Sequence, residues 1–334
     1  VTAGRGVTPG KTGAGDPKGD TTGPSGTSVP WSGSGIAALT PRRYLTRRAP
    51  VAPAPARGGP YDGTVSDENG PADQETVDPA DVDDVLADKA RLGRSGFATG
   101  SALYERARPG YSAEAVAHLV GALGIGAGRR VLDVAAGTGK LTRALVATGA
   151  EVVACEPSPS MRDVFATAVP DTPQIASTAE QVGVADGSFD AITVAQAFHW
   201  FDAPVALVEF ARILRPGGGL GLVWNERDES DPVVAELTRI SKWDVHQPYP
   251  VGMDFGSVID ASGRFGPVTR TKFRFTQELD RTGFVEQVAS RSYIAVLPEE
   301  RRQEILDGVA ALAATLPEPI GLPYVADVFC TTAR

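Results

Sequence analysis

The chain has 334 residues, 42% hydrophobic and 22% charged, with a formal net charge of −9, a balance ordinary for a globular protein and without the basic excess that draws a chain to nucleic acid or anionic membranes. Its two cysteines, Cys155 and Cys330, supply neither a disulfide framework nor a zinc cluster, so a cytoplasmic location and no metal are expected. No apolar run approaches the roughly 20 residues of a membrane span, and no secretory-type apolar core follows the first residues.

Residues 1–90 are crowded with Gly, Pro, Ser, Thr, Ala and Asp, as in "GKTGAGDPKGDTTGPSGTSVPWSGSG". Such a segment buries too little apolar surface to offset the entropy of ordering, so a disordered extension is expected there. Its stretch "PRRYLTRRAPVAPAPARGG" is basic and proline-rich. It reads either as a docking arm or, the reading preferred, as a dispensable extension. Order is expected to begin near Asp84, with one folded domain over 91–334.

In that domain, Ala115, Val116, Leu119, Val120 and Leu123 fall at helical spacing. "RVLDVAA" is a nearly continuous apolar run, as expected of a strand buried on both faces of a parallel sheet. "KLTRALVATGA" returns to helical period, "EVVACEP" is a second strand, and "SPSMRDVFATAV" a second crossover helix capped at Ser158 or Ser160. "PQIASTAE" is a weaker third strand, "FDAITVAQAF" a fourth, "PVALVEFARIL" a helix and "GGLGLVWNE" a fifth strand. "VTRTKFRFTQEL" and "YVADVFCTTAR" add two strands with helices between them. The expectation is a doubly wound α/β fold, its seven-stranded sheet mostly parallel and its last pair antiparallel.

A doubly wound sheet binds ligands beyond the carboxyl ends of its strands, where the strand order reverses. The turn "AAGTGK" after the first strand is placed there. A triphosphate loop fails, because Leu141 follows Gly139-Lys140 and Val134 stands where the leading glycine belongs. A dinucleotide turn keeps Gly137 and Gly139 but has Thr142 in place of its third glycine.

From residue 131 on, the chain resembles the class I S-adenosylmethionine-dependent methyltransferases, and more closely their type 11-like, small-molecule subgroup. The resemblance, spanning about residues 95–334, implies the Rossmann-like methyltransferase fold and S-adenosylmethionine as cofactor. Asp133 matches the family's first acid, and Ala135, Gly137 and Gly139 its three turn positions. Ala135 replaces a glycine and is expected to keep a negative φ. Glu156 matches the ribose-binding acid at the end of the second strand, a role that would serve NAD equally well. Ala179 is implied to reach the adenine edge through its N–H, although Thr178 stands where an acid is common, and Ala195 ends the fourth strand beside the cofactor. "ILRPGGGLGLVWN" matches the family's fifth strand and its preceding turn. "ALYERARPGYSAEAV" resembles the cap in which an aromatic and an arginine close over the methionine end. Tyr104 is thereby assigned to the cofactor and Arg108 to a carboxylate, of the cofactor or of the substrate.

Methyl transfer requires nucleophile, carbon and sulfur held in line, and a base where the nucleophile must lose a proton. His199 in "AFHWF" is the candidate base, its ordinary pKa near 6.5 suiting neutral pH, or else a residue that caps its loop. Trp200 and Trp243 are candidates to wall the substrate pocket, or to pack, and a substrate lid is expected over about 226–262. The reaction expected is transfer to an O, N or carboxylate of a small molecule. The alternatives are an NAD-dependent oxidoreductase and a non-catalytic S-adenosylmethionine-binding protein. Neither a nucleic-acid nor a membrane partner is expected, and the sequence does not set the oligomeric state.

Overall fold

The apolar run Arg130–Val134 forms the central strand β1, and the other strands assemble outward from it. The structure is a computed structural model that describes residues 100–242 and 254–334. The expectations for residues 1–90, for a start of order near Asp84 and for Trp243 lie outside the described residues. Strands β2 (Glu151–Cys155), β3 (Gln174–Ile175), β4 (Phe189–Ala195), β5 (Leu214–Arg227), β6 (Thr269–Leu279) and β7 (Ile320–Thr332) complete a seven-stranded sheet of order β3-β2-β1-β4-β5-β7-β6. β1 pairs in parallel with β2 and with β4. β7 runs antiparallel to both β5 and β6, so the expected antiparallel end of the sheet is a three-strand unit. Strand order reverses beside β1, which opens the ligand crevice at the carboxyl ends of β1, β2 and β4.

The described residues also form the helices α1 (Ala113–Leu123), α2 (Lys140–Val146), α3 (Pro159–Ala168), α4 (Ala203–Ile213), α5 (Pro232–Ser241), α6 (Phe255–Ala261), α7 (Arg281–Ala289), α8 (Ser292–Ala295) and α9 (Glu299–Thr315). Residues 100–107 are also helical. Ser112 caps α1 by accepting from the Ala115 N–H at 3.1 Å. Ser158 occupies the cap of α3; its hydroxyl lies 3.1 Å from that of Ser160 in the first turn and makes no capping bond to a helix N–H. α1 packs directly on β5 because Gly221 has no side chain; a Cβ there would stand 2.4 Å from Leu119 Cδ1.

Alternate residues of β5 face opposite layers, as a strand's period of two requires. Leu222 and Trp224 enter the core with Leu207 and Phe210 of α4 and Phe255 of α6, where the Trp224 and Phe255 rings stack at 4.2 Å. Val223 joins the core under α1 and α2. A third core gathers Val234 and Leu237 of α5, Phe284 and Val288 of α7 and Val309 of α9 around Leu322 and Tyr324. Since Tyr324 pairs with Arg227, this helical layer stands at the carboxyl end of β5. The sequence marks α7 and α9 as helices but gives no sign that they build a layer at that end.

Candidate functional site

The turn after β1 reverses the chain within a few residues, and the backbone shows the cost. Ala135, Gly137 and Gly139 have φ of 54°, 58° and 85°. The expected negative φ of Ala135 is therefore corrected. The chain must bend at once so that the Ala136 N–H can donate to the Cys155 carbonyl at 3.1 Å, and that bend puts a Cβ in the left-handed region, at about 1–2 kcal/mol. Ala135→Gly should accordingly raise the unfolding free energy, by about 0.5–1 kcal/mol after the added freedom of the unfolded chain, as urea denaturation would measure.

Glu156 faces this turn from the end of β2. Its two carboxylate oxygens accept from the backbone N–H groups of Gly137 at 2.9 Å and Ser158 at 2.8 Å. It is 6% exposed, and burial raises its pKa. Each oxygen retains a second lone pair, so the fixed carboxylate can accept from two neighbouring hydroxyls of a ligand. A Cβ on Gly137 would meet no protein atom, so the backbone of the turn is open to a ligand.

Asp133 does not face the crevice. It is wholly buried, and its oxygens accept from Thr142 Oγ1 at 2.6 Å and Thr193 Oγ1 at 2.8 Å. The threonine in place of a third glycine thus ties α2 to β1. Burial outweighs those two hydroxyls and pushes the Asp133 carboxyl up to about 6. The folded chain therefore holds this proton more tightly than the unfolded chain does. The stability it contributes is complete below about pH 4 and is lost as pH rises through about 6. Against Asp133→Asn, the wild type should lose on the order of 3 kcal/mol more between pH 4 and 7, read by denaturant unfolding at both values.

Residues 100–111 run across the crevice. Glu105 accepts from Thr138 and from Arg143 Nη2, and the Lys140 Nζ donates to its carbonyl at 2.6 Å. Further along, Arg106 forms a two-bond pair with Glu286 of α7, Gln277 donates to the Ala107 carbonyl at 3.1 Å, and Asn225 donates to the Gly110 carbonyl at 2.9 Å. This segment brings Tyr104 and Arg108 together, with the guanidinium carbon 5.6 Å from the ring centroid. Burial raises the Tyr104 phenol, Arg108 opposes that rise, and the nearby Glu156 adds to it. Tyr104, Arg108 and Glu156 therefore share one electrostatic environment.

His199 lies elsewhere. It belongs to the single 3-10 turn Phe198–Trp200, its ring 4.5 Å from that of Trp200 and 5.6 Å from that of Trp224. Burial among these rings lowers its pKa to about 3, so the imidazole is neutral across the physiological range. The expectation of a base titrating near neutrality is corrected: the sequence shows the histidine but not the apolar surface that desolvates it. Trp200 packs against the α4 and α6 core.

Ala179 is 4% exposed, in the turn bracketed by the Thr178–Gln181 bridge. Ala195 ends β4 and is half-buried. The next residue, Gln196, went unremarked in the sequence. Its φ is 56°, and its side chain donates to the Asn225 carbonyl at 2.9 Å, joining the ends of β4 and β5. Its strained backbone leaves no mark in composition or periodicity. Among the described residues no group of three or more His, Cys, Asp or Glu is placed to hold a metal, and no helix is long and apolar enough to cross a membrane.

Residues 132–222 match the family model described as a methyltransferase domain. An uncharacterized methyltransferase of Mycobacterium tuberculosis is 43% identical over 237 residues, covering 69% of this chain and 92% of that protein. An uncharacterized methyltransferase-like protein of Schizosaccharomyces pombe is 31% identical over 223 residues, covering 66% of this chain and 87% of its own. A crystal structure from Anabaena variabilis, described as a methyltransferase of an antibiotic biosynthesis pathway, aligns with a TM-score of 0.51 at 19% identity. It covers 66% of this chain and 98% of that one, and shows a common fold.

Proposed function

Because this chain belongs to the class I S-adenosylmethionine-dependent methyltransferases, we propose that it transfers a methyl group from S-adenosylmethionine to an oxygen, nitrogen or carboxylate of a small molecule. The observation that carries the reading is Glu156, held at the end of β2 by the Gly137 and Ser158 N–H groups with lone pairs left for a ribose diol. The residues present fit the cofactor. Glu156 would hold its sugar, the open backbone at Gly137 would lie against it, the Ala179 N–H would meet the adenine edge, and Tyr104 would cover it. S-adenosylmethionine supplies a methyl group made electrophilic by the sulfonium sulfur.

The chain's own contribution is then alignment and exclusion of water. Holding the reactants in a near-attack arrangement accounts for most of the gain in such a displacement. The segment 100–111, tied to α2 at one end and to β5, β6 and α7 at the other, is built to cover the reacting groups. With His199 neutral and its pKa near 3, the arrangement favours an acceptor that is already nucleophilic, such as a carboxylate oxygen or a neutral amine, over one that must surrender a proton.

Calorimetry on the full chain with S-adenosylhomocysteine and with NADH tests this reading. The expected result is micromolar or tighter binding of S-adenosylhomocysteine and none of NADH. The reverse pattern would replace the methyltransferase reading with that of an oxidoreductase. Incubation of a cell extract with methyl-labelled S-adenosylmethionine then identifies the metabolite that takes the label.

A further inference from the structure

Three arginines stand near the carboxyl end of β5. Arg227 closes that strand and is 7% exposed; Arg291, between α7 and α8, is 5% exposed. Arg108 follows the helical residues 100–107 and is half-buried. Burying a guanidinium is costly unless a counter-charge accompanies it. Elsewhere in the fold even arginines that keep much of their side chain in solvent have a counter-charge: Arg270 pairs with Asp327, Arg212 with Glu209 and Arg215 with Asp190. Among the described residues no ion pair includes Arg108 or Arg227.

Arg227 Nη2 donates to Gln287 Oε1 at 2.5 Å, and Gln287 in turn donates to the Tyr324 hydroxyl at 2.6 Å. These are neutral partners. The Nε and Nη1 of Arg227 and the Nε of Arg108 are buried with no hydrogen-bond partner among the described residues. Donors left in that condition are costly, the more so when charged, so their retention points to a ligand that completes them. Burial lowers the pKa of both Arg227 and Arg291. Arg108 lowers each further, and Arg227 also lowers Arg291, while the hydroxyls of Tyr293 and Tyr324 oppose these effects. Gln287, which holds Arg227, stands four residues before Arg291, and Asn225, which holds the Gly110 carbonyl, stands two residues before Arg227, so the three arginines issue from adjoining backbone.

Their position gives them a use. Asn225, two residues before Arg227 on the same face of β5, both seats the crossing segment at Gly110 and receives Gln196 from the end of β4. The cluster therefore adjoins the crevice on the side of the helical layer, where a methyl acceptor would approach. Arg227 also borders a cleft of about 680 Å³ with Lys272 and Arg274 and with Glu114, Glu226 and Asp228. Asp228 there is already paired with Arg274.

We propose that Arg108 and Arg227, with Arg291 beside them, form an oxyanion pocket in which the unpaired donors of the first two take a carboxylate or phosphate group of the methyl acceptor. The guanidinium fork matches either group with paired N–H bonds. This proposal rests on the methyltransferase reading for the placement of the acceptor, and Arg108, less buried than Arg227 and Arg291, marks the entrance.

The test is thermal unfolding of the full chain, saturated with S-adenosylhomocysteine, in tricarballylate, inorganic phosphate or chloride at matched ionic strength. Tricarballylate or phosphate should raise the wild-type midpoint by about 3 °C or more over chloride, as expected for an anion bound well above its Kd. Arg227→Gln and Arg108→Gln should lose that increment. A response to tricarballylate alone assigns a carboxylate, one to phosphate alone assigns a phosphate, and equal responses assign a site for either. No increment in the wild type overturns the pocket, as does a full increment in either variant. Should Arg227→Gln not fold, Arg108→Gln, at the less buried position, decides. Failure of S-adenosylhomocysteine to bind the wild type in calorimetry would instead strike the methyltransferase reading, so the two failures are distinct.

Discussion

Gly139→Ala should destabilise the protein by about 3 kcal/mol or more and abolish measurable S-adenosylhomocysteine binding. The φ of Gly139 is 85°, and a Cβ there would lie 2.6 Å from Val169 Cγ2 and 3.0 Å from Phe165 Cδ2. Two costs add: about 1–2 kcal/mol for an L-residue in the left-handed region and about 1–3 kcal/mol for overpacking a filled core. Phe165 is fully buried at the centre of the small core between α3 and the turn, so it has little room to yield. Relief would come by displacing the turn itself, the surface on which the cofactor is expected to lie. Urea unfolding and calorimetry measure both consequences; a variant that binds as the wild type does would show that the turn is not the binding surface.

Glu156→Gln should weaken S-adenosylhomocysteine binding by about 30–100-fold with a smaller loss of stability. A hydrogen bond to a charged group contributes about 1.5–3 kcal/mol, and each 1.4 kcal/mol is tenfold in affinity. The amide can accept through only one atom, and it turns an N–H toward the Gly137 or Ser158 donor that Glu156 now satisfies. Because burial raises the pKa of Glu156, wild-type affinity should also fall as acid protonates the carboxylate, and the variant should lack that dependence. Calorimetry across pH 5–8 reads both, and unchanged affinity would remove Glu156 from the sugar site.

What the sequence disclosed and what it hid divide along a physical line. The runs that became β1 and β4 were legible because a strand buried on both faces must be apolar throughout, and the crossover helices because one face of each must be. The bend after β1 was legible because a positive φ restricts residue type, and Gly137 and Gly139 both have one. Ala135 was misread because its φ is imposed by the bond from Ala136 to the Cys155 carbonyl, not by its own side chain. His199 was misread because its pKa depends on Trp224 of β5, a neighbour that only the folded sheet supplies. Arg108, Arg227 and Arg291 stand in three separate parts of the chain, and each alone reads as a solvated charge.

The helical layer has one further property, set by how it joins the sheet. β6 and β7 pair continuously from Thr269↔Cys330 to Leu279↔Ile320, so the excursion carrying α7, α8 and α9 leaves and re-enters at the two sides of one rung. A module whose two ends lie side by side can be exchanged between relatives without re-registering a strand. Arg291 and Gln287 travel inside it while the glycine turn and Glu156 stay behind, so under the proposed function replacing this cassette would alter the acceptor side and leave the methyl-donor side intact.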